Sequence, residues 1–136
     1  MITALKALAS LLARDPLTVD EVIEQLGKVT KNYTWNVLLT PHNPVFKEVS
    51  VGRAVDSATR KPANIPSYVE VTPTEPPAIE ILAQAFGTYK RIPAEKKVPP
   101  QAIFYLDISG QPYTIALIAD IKDNHATRIA LRRDKR

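Results

Sequence analysis

The chain has 136 residues, no cysteine, twelve prolines and four glycines, with 45% hydrophobic and 24% charged residues, the balance of one ordinary globular domain. That composition excludes a collagen, a coiled coil and a disordered segment, and the missing thiols exclude a disulfide framework, a thiolate zinc site and a cysteine nucleophile. The net charge of +4 sits at one end, because Arg128 to Arg136 holds five basic residues against Asp134 while the remainder carries thirteen charges of each sign.

In chain order, Leu5, Leu8 and Leu12 recur at helical spacing with Ala9 beside them, which predicts an amphipathic helix that packs on the domain. Lys6 splits this apolar run and no small-residue cleavage site precedes Asp15-Pro16, so the segment does not read as a leader. No apolar stretch approaches the roughly eighteen residues that cross a bilayer. The expected setting is cytoplasmic, with no membrane partner.

A second helix is predicted over Thr18–Gly27, where Val19, Val22, Ile23 and Leu26 form an i, i+3, i+4, i+7 stripe. Thr18 and Glu21 make a capping-box pattern at its start, and Gly27 falls just past its end. Strands follow at Asn36–Thr40, Val45–Arg53 and Tyr68–Thr72, with the long joint from Ala54 to Ser67 expected to be a mobile surface loop.

The Pro-rich stretch Thr72–Pro77 is the seam to a second copy of the pattern. AIEILAQAFG (Ala78–Gly87) superposes on TVDEVIEQLG (Thr18–Gly27), with Ile79, Leu82, Ala83 and Phe86 as its stripe and Pro76-Pro77 before its first turn. Strands are predicted at Ile103–Ile108, Tyr113–Ile121 and Thr127–Arg132, joined by Ser109-Gly110 and by Lys122–His125. The middle one is apolar at odd and even positions alike, as a strand covered on both faces would be. The expected fold is therefore α+β: two tandem α-β-β-β repeats, at 17–72 and 77–133, forming one mainly antiparallel sheet with helices on one face, plus an N-terminal helix. Each half, at about sixty residues, is too small to bury its stripe alone, so residues 1–136 are expected to share one core in a single domain.

A helix ending in Leu-Gly or Phe-Gly and followed by a three-stranded meander, in tandem, resembles the β-lactamase-inhibitor-protein-like fold group. Val22, Leu26 and Gly27 in the first copy and Leu82, Phe86 and Gly87 in the second carry the resemblance, which spans residues 17 to 133 in outline. It implies a non-catalytic protein that binds other proteins across an exposed sheet face, and it transfers no functional residue. Members of that group usually carry a disulfide and two helices per module, whereas this chain has neither cysteine nor a second helix in its second half.

Chemistry-bearing motifs are scarce. His42 and His125 lie in turn-like segments without a companion ligand, and neither a Gly-x-Ser-x-Gly elbow nor a phosphate-cradling glycine loop occurs. Asp107 and Asp120-Ile121-Lys122 resemble the Asp…Asp-x-Lys signature of restriction-endonuclease-like nucleases. If Ser109-Gly110 is a two-residue turn, however, Asp107 faces Pro112 and lies eight strand positions from Asp120, about 26 Å apart, too far for one metal. No catalytic residue, metal ligand or cofactor is therefore assigned.

Tyr33, Trp35, Tyr68 and Tyr89, with Arg128, Arg132 and Arg133, are the residue types that dominate protein interfaces and are the candidate partner-binding residues. Asn32-Tyr33-Thr34 matches a glycosylation sequon, read as coincidence without a leader, and Pro93–Pro100 reads as an extended connector. The resulting expectation is a non-enzymatic interaction protein, an adaptor, an inhibitor or immunity-type partner, or an assembly subunit. Its partner is another protein, with a second copy of the chain as one candidate. The alternatives are nucleic-acid contact through the basic terminus and an enzyme with an unrecognised site. Nucleic acid is disfavoured because a few charges on a frayed, solubilising tail release few counterions.

Overall fold

Period-two alternation of apolar residues places most of the chain in one sheet, and three short amphipathic helices cover one side of it. The computed structural model describes all residues from Met1 to Arg136. In order they form α1 (Ile2–Leu12), α2 (Val19–Leu26), β1 (Gly27–Asn32), β2 (Asn36–Pro41), β3 (Phe46–Val55), β4 (Pro62–Pro73), α3 (Ile79–Phe86), β5 (Lys90–Ile92), β6 (Gln101–Leu106), β7 (Tyr113–Lys122) and β8 (His125–Lys135). Every pairing is antiparallel, in the order β1-β2-β3-β4-β8-β7-β6-β5. The protein is an α+β domain with an N-terminal helix and helices on one face of an antiparallel sheet.

The apolar stripes explain the layering. Leu5, Leu8, Ala9 and Leu12 of α1, Val19 and Val22 of α2, and Ile79 and Leu82 of α3 are buried in a single cluster. That cluster also holds Val37, Leu39, Val49, Val51, Val69, Val71, Phe104, Ile115, Leu117, Ala119, Ile129 and Leu131, which alternate along six of the strands. Cross-strand registers such as Val51↔Val69↔Leu131↔Leu117↔Phe104 put these residues on the same face. The opposite face has no layer over it.

Helix ends follow local chemistry. Thr18 accepts from the Glu21 amide while Glu21 accepts from the Thr18 amide, the reciprocal box its sequence predicts. α3 has no side-chain cap. Its Ile79 amide instead donates to the Asn124 carbonyl at the β7–β8 turn, 3.0 Å away. That turn has both central residues, Asp123 and Asn124, at positive φ, as a two-residue hairpin loop requires.

Five features differ from the sequence reading. First, each of α2 and α3 is followed by four strands, the added ones being β1 and β5 at the sheet edges. Their sequences, GKVTKN and KRI, are mostly polar because an edge strand needs little burial. Second, the expected loop at 54–67 is largely hairpin, since β3 extends to Val55 and β4 starts at Pro62. Register shifts at Gly52, Arg53 and Val55 accommodate Pro62 and Pro66, which lack an amide donor.

Third, the basic C-terminus is not a frayed tail. It is β8, hydrogen-bonded to β4 on one side and β7 on the other, because Ile129, Leu131 and Arg133 all point into the core. Fourth, the β6–β7 connection is longer than two residues: Leu106 pairs with Ile115 and Gln101 with Asp120. Asp107, one residue beyond Leu106, then stands six strand positions from Asp120, about 20 Å, and the Asp107–Pro112 pairing does not form. Fifth, β7 is covered on one face only, so its half-buried Ile118 lies on the uncovered side.

Candidate interaction surface

One transverse row of the uncovered face gathers large and small residues in a defined order. Successive registers connect Asn36 of β2, Gly52 of β3, Tyr68 of β4, Arg132 of β8, Ala116 of β7 and Tyr105 of β6. With strands about 4.8 Å apart, Tyr68 and Arg132 are immediate neighbours and Tyr105 is two strands further on. Gly52 is required beneath Tyr68: a Cβ there would lie 2.0 Å from the ring. Ala116, between Arg132 and Tyr105 in the row, is fully buried, and Tyr105 is 63% exposed.

The neighbouring row runs Leu38, Ser50, Glu70, Ala130, Ile118 and Ile103. It divides the face chemically. Toward β1 the surface is polar, and a cavity of about 470 Å³ there is walled by Thr30, Asn36, Ser50, Tyr68 and Glu70 among others. Toward β5 the partly exposed Ala130, Ile118 and Ile103 join Tyr105 in an apolar strip.

Electrostatics tie down the centre of the face. Arg128 pairs with Glu70 at 3.2 Å and Arg132 holds both oxygens of Asp134, at 2.8 and 3.1 Å. The Asp134 hydrogen bond keeps the Arg132 guanidinium firmly protonated. Burial, and after it the Glu70 carboxylate, pushes the Tyr68 phenol above the usual tyrosine value, so it remains a neutral donor.

The seven candidate residues are dispersed. Tyr68, Arg128 and Arg132 share the uncovered face. Tyr33 and Trp35, about half exposed, lie at the β1–β2 turn, where Arg53 donates to the Tyr33 carbonyl and to Asn32 Oδ1. Tyr89 packs its ring 5.0 Å from that of Phe104 beside β5. Arg133 is 8% exposed and donates to three backbone carbonyls, so its side chain points away from that face into the core. Tyr105 was missed by the sequence reading. Its alternation with buried Phe104 was the available signal, because in a half-covered sheet the neighbour of a core aromatic faces outward.

Comparison with known proteins returns no matching family model, no matching curated protein and no matching solved structure. The surface must therefore be interpreted from its own geometry. No three His, Asp or Glu side chains converge as a metal would need. Asp107 is engaged by Arg136 and Asp120 by Gln101, so the two carboxylates have separate partners. No helix is long and apolar enough to cross a membrane.

Proposed function

We propose that this chain is a non-catalytic protein-binding module whose uncovered sheet face receives another protein. The row Tyr68–Arg132–Tyr105 carries the reading: Tyr68 and Arg132 are neighbours and Tyr105 stands two strands beyond Arg132, across Ala116, on a face that no layer covers, bordered by Ile103, Ile118 and Ala130. Tyrosine and arginine are the side chains that interfaces use as anchors, and rigid strands hold them without the ordering cost that a loop would impose. The pairing of Arg128 and Arg132 with acids weighs against phosphate binding, since both cations already have partners. A cysteine-free chain suits the reducing interior of a cell, and we place the module in the cytoplasm as part of the same reading.

The test is affinity capture from the native cell extract at low and high salt, with wild type beside Tyr105→Ala and Arg132→Ala. A protein partner retained at both salt levels by wild type and lost by both variants is the expected result. Capture of nucleic acid that high salt releases, or a partner indifferent to both substitutions, contradicts the proposal.

A further inference from the structure

The sheet ends unevenly at β6. Its outer neighbour β5 has three residues and pairs with Gln101, Ala102 and Ile103 only. Phe104, Tyr105 and Leu106 therefore have β7 on one side and no strand on the other. Backbone amides and carbonyls along such an edge are a template for one more strand. Immediately behind it, between α1, α3 and the end of β6, lies a trough of about 360 Å³ lined by Ala9, Phe86, Tyr105, Leu106 and Ile108, with Lys6 and Asp107 also in its wall.

The surrounding charge selects the occupant. Lys6, Lys90 and Arg91 are exposed and none has a carboxylate within ion-pair distance. The nearby acids are already engaged, Asp107 by Arg136 and Asp134 by Arg132. The edge thus presents backbone that no strand pairs, flanked by Tyr89 where its ring packs on Phe104, with an apolar trough on its inner side and the unpaired cations Lys6, Lys90 and Arg91 around it.

We propose that the free edge of β6 at Phe104–Leu106 binds an extended, acidic segment of a partner protein by strand addition. Backbone hydrogen bonds to the edge hold the segment, as in other cases where a sheet is extended by a bound peptide. Its inward side chains, at every second position, are apolar and fill the trough beside Phe86 and Leu106. Its acidic residues meet Lys6, Lys90 and Arg91. This contact is made through edge backbone and the trough on the helix side, and it adjoins the uncovered face at Tyr105, which also borders the trough, and at Lys90, which is level with Ile103.

A phage-displayed library of random short peptides, selected on the intact chain, tests it. Selected sequences alternate apolar with acidic residues, and the best of them, made synthetically, shifts the amide resonances of Phe104–Leu106. Methylating the peptide's backbone nitrogens at alternate positions weakens binding by at least about tenfold while leaving every side chain in place. The exposed double variant Lys6→Glu/Lys90→Glu, checked for an unchanged circular dichroism spectrum, weakens it by about tenfold as well. Tyr68→Ala leaves the peptide affinity unchanged, which separates this edge from the uncovered face. Selection of no alternating acidic sequence, equal binding of the methylated peptide, or shifts confined to residues away from β6 overturns the proposal.

Discussion

The guanidinium of Arg133 donates from Nε to the carbonyl oxygen of Leu12, the last residue of α1, across 2.6 Å. Its other nitrogens reach the Arg14 and Pro66 carbonyls at 2.7 and 2.9 Å, and the group stacks 3.8 Å over the Tyr113 ring. α1 ends without a basic residue in its last turn and without a glycine cap. A residue at the far end of the chain supplies the cation that a helix C-terminus favours. Burial pulls the Arg133 proton affinity below the usual arginine value, yet an arginine stays charged in proteins.

Replacing Arg133 by methionine fills similar volume but leaves three carbonyls without their donor. The expected loss is about 3 kcal/mol in urea unfolding. Arg133→Lys recovers only part of it, because one ammonium cannot span three carbonyls set in a guanidinium's fork. Hydrogen exchange gives the sharper check: amides of α1 should lose protection ahead of those of β7. Equal loss across both elements contradicts an anchoring role centred on the end of α1.

Gly27 and Gly52 are both tight, for different reasons. A Cβ at Gly27 would lie 2.1 Å from the Thr40 carbonyl oxygen, and one at Gly52 would lie 2.0 Å from the Tyr68 ring. The first obstacle is backbone and the second is a side chain. Gly27→Ala and Gly52→Ala should each cost roughly 1–3 kcal/mol. Adding Tyr68→Ala should recover most of the loss at Gly52 and none at Gly27, a coupling that a double-mutant cycle in urea reads directly.

The helices and six of the strands were legible because their apolar residues keep a 3.6 or a 2 period, as Val19–Leu26 and Ile79–Phe86 do. β1 and β5 were not, since Lys28, Lys31, Lys90 and Arg91 carry no burial signal at an edge. β8 was half legible: Ile129 and Leu131 alternate, but Arg133 occupies the next inward position and reads as surface charge unless its carbonyl partners are known. The same long-range logic hid the Tyr68–Arg132–Tyr105 row. Its members lie 64 and 27 residues apart and meet only through the β4–β8, β8–β7 and β7–β6 pairings, the first of which no local pattern discloses.

α2 and α3 offer a matched pair for measuring caps. Thr18→Ala removes the hydroxyl and uncouples Glu21, so it should cost about 1 kcal/mol. α3 begins at Ala78 in the extended conformation that a cap residue adopts, with no side-chain acceptor. Ala78→Ser should add about 0.5 kcal/mol or more, provided the Asn124 carbonyl keeps the Ile79 amide. Thermal unfolding of the two single variants, with opposite signs of shift, is the expected result.

The last residue closes the loop between β6 and β7. Arg136 hydrogen-bonds Asp107 and also donates to the Gln111 carbonyl at 2.8 Å. The Arg136 hydrogen bond holds the Asp107 carboxyl below the ordinary aspartate value. A folded-state value lower than the unfolded one means that the contact contributes above the unfolded pKa, near about 4, and is lost as pH falls through the folded value. In an NMR titration, Arg136→Gln should move the Asp107 midpoint upward toward the ordinary value. Glu80 provides the control: its own backbone amide and then Asn124 lower its pKa, so its midpoint should not respond to Arg136→Gln. Because both carboxylates are exposed, added salt should narrow the Asp107 difference, whereas a midpoint insensitive to Arg136 would assign its shift to a different neighbour.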